Sequence, residues 1–289
     1  MALIPACVLG NEPVTIYGVP NISDVQSLIV LLNELGVCVE KRDEETLYID
    51  PTHMENIPMV SKAVSKLRAS YYFMGALLGK FGHAEIKMPG GCYLGPRPID
   101  LHLKGFEALG ADIQYENGCY ILDAKELKGT NIFLDISSVG ATINIMMAAV
   151  YAKGRTVIEN AAREPEIIDI ATLLNKMGAR IHGMGTSTLV IDGVDYLKGC
   201  IHEIIPDRIE AATYVIMAAA MANDMRIENI IPQHLEAIVM KLQEVGINME
   251  VGSDFIHVFK SDKPLKRTEI LTKPYPGFAT DVQQPFTVL

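Results

Sequence analysis

Apolar and polar positions along the chain follow one pattern written four times. Each copy opens on a short strand-like run: Val14-Thr15-Ile16, Ala84-Glu85-Ile86, Thr156-Val157-Ile158 and Met225-Arg226-Ile227, at intervals of 70, 72 and 69 residues. An amphipathic stretch follows and ends in an apolar residue plus glycine: Leu35-Gly36, Leu109-Gly110, Met177-Gly178 and Val245-Gly246. Glycine at that place supplies a left-handed helix cap. In the first copy Val25, Leu28, Ile29, Leu32 and Leu35 fall at three-to-four spacing, with Asn21 or Ser23 as the N-cap. Alternating runs such as Leu47-Tyr48-Ile49 and Thr188-Leu189-Val190-Ile191 then suit half-buried strands. The closing helices, at 69–78, 141–152 and 211–222, are apolar nearly all round and belong in the interior.

A unit of this kind cannot bury its faces alone, so neighbouring units must share a core. Helices inside and sheets outside would reverse the layering of an ordinary α/β barrel. The nearest thing to a boundary is 199–207, where an extended run with Ile201, Ile204 and Ile205 precedes Pro206. The pattern is also cut at both ends. Residues 1–9 read as the tail of a closing helix, and 281–289 as the head of another. The expectation is a piece of a longer protein.

Composition narrows the function classes. At 289 residues and 49% hydrophobic content the chain can bury one or two sizeable cores. The longest apolar run, 214–222, is too short to span a bilayer. A net charge of −10 argues against nucleic acid as a partner, while leaving room for anionic small substrates held by local arginines. The five cysteines, at 7, 38, 92, 119 and 200, include no C-x-x-C pair, which fits a reducing, cytoplasmic setting. The histidines form no spaced cluster and the chain has no phosphate-loop or dinucleotide glycine motif, so neither a metal site nor a cofactor is expected.

The segment Pro89-Gly90-Gly91-Cys92-Tyr93-Leu94-Gly95-Pro96-Arg97-Pro98 stands apart, with three glycines and three prolines around a cysteine. Such a loop is a natural carrier of function, and Arg97 near Cys92 favours the thiolate. The other four cysteines are read as small buried thiols. Further candidates sit at helix starts: Arg68, Ser138-Val139-Gly140, Asp207-Arg208 and Thr280-Asp281. Helix N-termini suit phosphate and carboxylate ligands, although Ser138, Asp207 and Asp281 can equally be plain caps. The run Ala161-Ala162-Arg163-Glu164-Pro165-Glu166 reads as a charged turn entering a helix.

At these residues the chain resembles the UDP-N-acetylglucosamine enolpyruvyl transferases, which open peptidoglycan precursor synthesis. The matches are PGGCYLGPRPIDLH at 89–102, SVGAT at 138–142, IENAAREPEIID at 158–169, PDRIEA at 206–211 and FATDVQQPF at 278–286. The related 5-enolpyruvylshikimate-3-phosphate synthases share the repeat but lack the cysteine loop. The resemblance implies an inside-out α/β barrel fold in two domains, with 1–205 most of the cysteine-loop domain and 206–289 part of the second. It implies phosphoenolpyruvate and UDP-N-acetylglucosamine as substrates. Cys92 would donate the proton to the phosphoenolpyruvate methylene and be the target of fosfomycin. Asp281 would be the base at the sugar hydroxyl. Arg68 and Arg97 would hold phosphates, and Arg97, Pro98, Ile99, Asp100 and Leu101 with Ser138 and Val139 would contact the UDP-sugar. Glu164 and Arg208 complete the substrate-binding set.

By the same resemblance, a Lys-Asn pair that contacts phosphoenolpyruvate would lie before Met1, and later arginines beyond Leu289. Some members carry lysine where this chain has Ile136. Two other readings stand beside the transferase: a catalytically incomplete fragment acting at most as a nucleotide-sugar-binding module, and a thiol-reactive redox protein, for which no resolving cysteine is near Cys92 in sequence. A half-helix at each end would leave apolar faces uncovered. The chain alone is therefore expected to be less stable, or more associated, than one extended at both ends. Equal denaturation midpoints and clean monomers for both would sink that expectation.

Overall fold

The computed structural model describes residues 1–88, 98–221, 224–260 and 264–289. The chain divides into two compact units, Met1–Ile204 and Ile205–Leu289. The first opens with a short helix, α1 (Leu3–Cys7). The carbonyls of Val8 and Gly10 just beyond it accept the Lys80 ammonium at 2.7 and 2.5 Å. Next come β1 (Val14–Tyr17), α2 (Ser23–Glu34), β2 (Cys38–Lys41) and β3 (Leu47–Asp50). After α3 (Lys62–Lys66), a 3-10 turn at Arg68–Tyr71 leads into α4 (Tyr72–Phe81). Then follow β4 (His83–Lys87), α5 (Asp100–Ala108), β5 (Asp112–Glu116), β6 (Cys119–Asp123), β7 (Asn131–Phe133) and α6 (Val139–Ala149). The unit ends with β8 (Arg155–Glu159), α7 (Pro165–Met177), β9 (Arg180–His182), β10 (Thr188–Asp192) and β11 (Ile201–Glu203).

Three sheets result, ordered β11-β1-β3-β2, β4-β6-β5 and β7-β8-β10-β9. The pairs β1–β11 and β7–β8 run parallel, and the hairpin pairs run antiparallel. Alternation along β4 and β6 sends Ala84, Ile86 and Leu122 inward and leaves the intervening residues on the outer face. None of the sheets closes on itself among the described residues. With three or four strands each, they have too few to curl into a barrel. What the residues build is an α/β fold of open sheets around buried helices.

The sequence pattern and the structure agree at the helix ends. Gly36, Gly110, Gly178 and Gly246 all have positive φ, at 75°, 98°, 112° and 102°. At two helix starts they differ. Ile22 occupies the N-cap of α2 without a side-chain bond, and the Asn21 Oδ1 instead accepts from Gln26 Nε2 at 3.2 Å. The closing helix expected from residue 69 begins with the 3-10 turn, enters α geometry at Tyr72 and runs to Phe81. Of the cysteines read as buried, Cys38 is exposed on the edge strand β2 and Cys200 is half-buried; Cys7 and Cys119 are buried.

The core of the first unit is organised by α4 and α6. Every residue of α6 from Ala141 to Ala149 is buried, as is α4 from Tyr72 to Leu78. The helices approach so closely that a β-carbon on Gly75 would overlap the Asn144 carbonyl oxygen, and one on Gly79 would lie 2.8 Å from the Met147 carbonyl oxygen.

The second unit has its own core. It contains α8 (Arg208–Met221), β12 (Met225–Glu228), α9 (Glu236–Glu244), β13 (Met249–Val251), β14 (Phe255–Val258) and α10 (Gln283–Val288). The sheet order is β12-β14-β13. Val215 and Ile216 of α8 pack with Leu242, Ile256, Phe278, Val282 and Phe286. Phe278 and Phe286 meet edge to face at 5.5 Å. Among the described residues no helix is long and apolar enough to cross a membrane.

The contact at Gly75 carries a prediction. Gly75→Ala forces α4 away from α6 and is expected to cost about 3 kcal/mol. Urea unfolding of the variant checks it; an unchanged midpoint would mean that the two helices can separate freely.

Candidate active site

Three of the segments singled out in the sequence converge in the first unit: the 3-10 turn at Arg68–Tyr71, the start of α5 and the start of α6. Tyr71 presents its ring edge-on to His102 of α5, with centroids 5.1 Å apart and planes at 85°. The Arg68 guanidinium lies 5.7 Å from the Tyr71 ring centroid. Gly140, in the first turn of α6, rests against both rings. A β-carbon there would stand 2.9 Å from Tyr71 Oη and 3.1 and 3.2 Å from His102 Cε1 and Nε2. Only glycine fits between them without displacing a ring.

The N-terminus of α6 is capped as the sequence allowed, with Ser138 Oγ accepting the Ala141 N–H at 3.3 Å. The N–H groups of Val139 and Gly140 precede the first intrahelical bond and face outward from the helix end. The charged turn ahead of α7 is tied to this end of α6. The Ala162 N–H donates to Thr142 Oγ1 at 3.0 Å, and Asn160 Nδ2 donates to the Leu134 carbonyl at 2.8 Å. That anchoring buries Ala161, Ala162 and Glu164 and leaves Arg163 exposed, so only part of the charged turn is open to solvent. The Glu164 Oε2 accepts the Arg163 N–H at 3.0 Å. On the other flank, Lys104 of α5 bridges to Asp135 at 2.6 Å, beside the exposed Ile136.

Two titrations are displaced here. Burial, helped by the neighbouring Arg68 charge and opposed by Asp100, brings the His102 imidazole down to about 4. Burial raises the Tyr72 phenol well above its ordinary value, with Tyr71 and Glu166 adding to the shift. At neutral pH both groups are uncharged.

Of the sequence-predicted residues, Arg68, Asp100, Leu101, Ser138 and Val139 are thus placed on segments packed around Tyr71 and His102, and Glu164 on the turn anchored to α6. Pro98 and Ile99 lead directly into α5, and the His102 N–H donates to the Ile99 carbonyl at 3.0 Å. Cys92 and Arg97 lie outside the described residues. Arg208 and Asp281 belong to the second unit. Arg208 opens α8, where Asp207 caps the helix by accepting the Ile209 and Glu210 N–H groups at 2.7 and 3.2 Å. Its guanidinium lies 5.6 Å from the Tyr275 ring centroid. Asp281 sits exposed in a 3-10 turn at Thr280–Val282, and among the described residues its carboxylate has no hydrogen-bond or ion-pair partner. It is not a cap.

A sequence profile of the EPSP synthase (3-phosphoshikimate 1-carboxyvinyltransferase) family matches residues 1–289. The chain belongs to that family. It is 59% identical over 289 residues to UDP-N-acetylglucosamine 1-carboxyvinyltransferase 2 of Bacillus anthracis, covering all of this chain and 67% of that one. It is 58% identical to the protein of the same name from Listeria monocytogenes serotype 4b, covering 68% of it. Among solved structures, the enolpyruvyl transferase NikO from Streptomyces tendae superposes with a TM-score of 0.86 at 22% identity, over 98% of this chain and 68% of that one. An EPSP synthase from Acinetobacter baumannii reaches 0.70 at 18% identity, over 90% and 62%. The enolpyruvyl transferase fold therefore extends to this chain, which spans about two thirds of the length of its named relatives.

Sequence reasoning passed over Tyr71, His102 and Asn144, which bind the segments together. The signal was present in α6: Asn144 is a lone amide inside the run ATINIMMAA. An amide in an all-apolar helix must find a partner across the core.

His102 gives the site a pH signature. The unfolded ring takes a proton near 6.5, while the folded ring refuses it until about 4. Between those values the unfolded state holds more protons, so stability falls as pH falls. From pH 7 to pH 5 the loss from this group is about 2 kcal/mol. In His102→Leu the acid-side loss should be smaller by that amount. Urea midpoints of both chains at pH 7, 6 and 5 check it; parallel curves would mean that the ring charges inside the fold.

Proposed function

We propose that this chain serves the first committed step of peptidoglycan precursor synthesis, in the cytoplasm, by moving the enolpyruvyl group of phosphoenolpyruvate to the 3′-hydroxyl of UDP-N-acetylglucosamine. The observation that carries the reading is the 59% identity, along the whole chain, to relatives named for this substrate rather than for shikimate phosphate. The cysteine loop, PGGCYLGPRP at 89–98, supports the same choice.

The chemistry is an addition followed by an elimination. The sugar oxygen bonds to C2 of phosphoenolpyruvate while a proton goes to its methylene carbon. Loss of phosphate, with return of a proton, then restores the double bond. In this reading Cys92 delivers the methylene proton and Asp281 takes the hydroxyl proton, an acid and a base kept in separate environments. Arg68 and Arg97 hold phosphate groups. Residues 97–101 with Ser138 and Val139 grip the UDP-sugar, where the α6 N-terminus offers N–H groups to an anion. Glu164 and Arg208 line the remaining substrate surface. Positive helix ends and arginines thereby offset the net charge of −10 where anionic substrates bind.

The same reading makes residues 1–205 the nearly complete cysteine-loop domain and 206–289 a part of the second. It assigns both to the inside-out barrel architecture of about 70-residue units. The burial of α4 and α6 beneath open sheets supports that layering.

The test is phosphate release from phosphoenolpyruvate by the purified chain, with and without UDP-N-acetylglucosamine. Release is expected only with both substrates, and it should vanish in Cys92→Ala. Release that ignores the nucleotide sugar, or survives loss of Cys92, would overturn the reading.

A further inference from the structure

The His102 ring is 6% exposed and lies at the junction of three helices. Its hydrogen bonding is fixed from the main chain. The Gly75 N–H of α4 can only donate, and it reaches Asn144 Oδ1 at 2.9 Å. The amide nitrogen of Asn144 is thereby turned toward His102, 2.9 Å from Nδ1. That nitrogen carries only hydrogens to offer, so Nδ1 must accept. A neutral ring then has its proton on Nε2, the atom facing Gly140. An imidazolium would set the Nδ1–H against the amide N–H, donor against donor. The titratable and charged groups around the ring are Arg68 and Tyr71 of the 3-10 turn, Asp100 on its own helix, and Tyr72 of α4 with Glu166 of α7 beside it. From α6 come Asn144 and Gly140, neither of which titrates.

We propose that His102 is a positioning residue for the nucleotide-sugar half of the site. As a neutral acceptor of the Asn144 amide it sets the first turn of α5, with Asp100 and Leu101, against the first turn of α6, with Ser138 and Val139. Its edge contact with Tyr71 fixes the turn that carries Arg68 in the same frame. This rests on the transferase reading given above. His102 is no proton carrier: Nδ1 is engaged by Asn144 and the ring is neutral throughout the physiological range. Its role is to make three separate segments present one surface, because misplacing a binding segment by about an ångström can cost much of its interaction.

The test uses the full chain, UDP-N-acetylglucosamine as titrant, and two variants. His102→Asn keeps an oxygen acceptor near the place of Nδ1; His102→Leu removes it. Calorimetric affinity is expected to fall on the order of tenfold or more in His102→Leu and to stay within about threefold of wild type in His102→Asn. Nitrogen-15 shifts of the imidazole should show Nε2 protonated and Nδ1 bare from pH 6 to pH 8, a readout that needs neither ligand nor variant. Equal affinity in a folded His102→Leu, an Asn variant as weak as the Leu variant, or a proton on Nδ1 would overturn the proposal. Absence of nucleotide-sugar binding by the wild-type chain would instead overturn the transferase reading beneath it, and the proposal with it.

Discussion

Two helices that are apolar on every side can bury themselves only against each other and under sheets. α4 and α6 do so at a separation that leaves no room for a β-carbon on Gly75. Where backbones come that close, polar groups are sealed from water and each needs a partner. Asn144 supplies it on both sides, accepting from Gly75 and donating to His102. The same side chain thus completes the core and begins the site. Loosening the helix contact would leave a buried amide, a buried N–H and a buried imidazole unsatisfied together.

This coupling explains why polar residues are tolerated at the centre of the first unit. Thr142 and Asn144 are fully buried within α6, one turning to the Ala162 N–H and the other to Gly75 and His102. Each links α6 to a different segment. The helix therefore acts as the reference against which the α5 start, the 3-10 turn and the entry to α7 are all set. Exposed ion pairs such as Lys104–Asp135 add little by comparison, being open to solvent.

Much of this was legible in the sequence. The glycines closing α2, α5, α7 and α9 marked helix ends because a left-handed residue there excludes most side chains. The opening strands were readable from alternation, and the cysteine loop from its glycines and prolines. The resemblance carried the family. Less legible were features set by tertiary contacts. Ile22 rather than Asn21 or Ser23 takes the N-cap of α2, and Cys38 reaches the surface because β2 is a sheet edge. Glu164 is buried because Thr142 and Leu134 draw its loop inward. The network of Tyr71, His102 and Asn144 joins residues from three parts of the chain, and no local spacing announces it.

The distance along the chain between α4 and α6 has a bearing on synthesis. At about 5–20 residues per second, the stretch from Gly82 to Ser138 takes a ribosome roughly three to eleven seconds to complete. Through that interval Phe73, Met74, Leu77 and Leu78 have emerged or are emerging with no α6 to cover them. A helix that is buried in the finished unit is therefore an uncovered apolar segment of the nascent chain, and a natural binding point for a chaperone during translation.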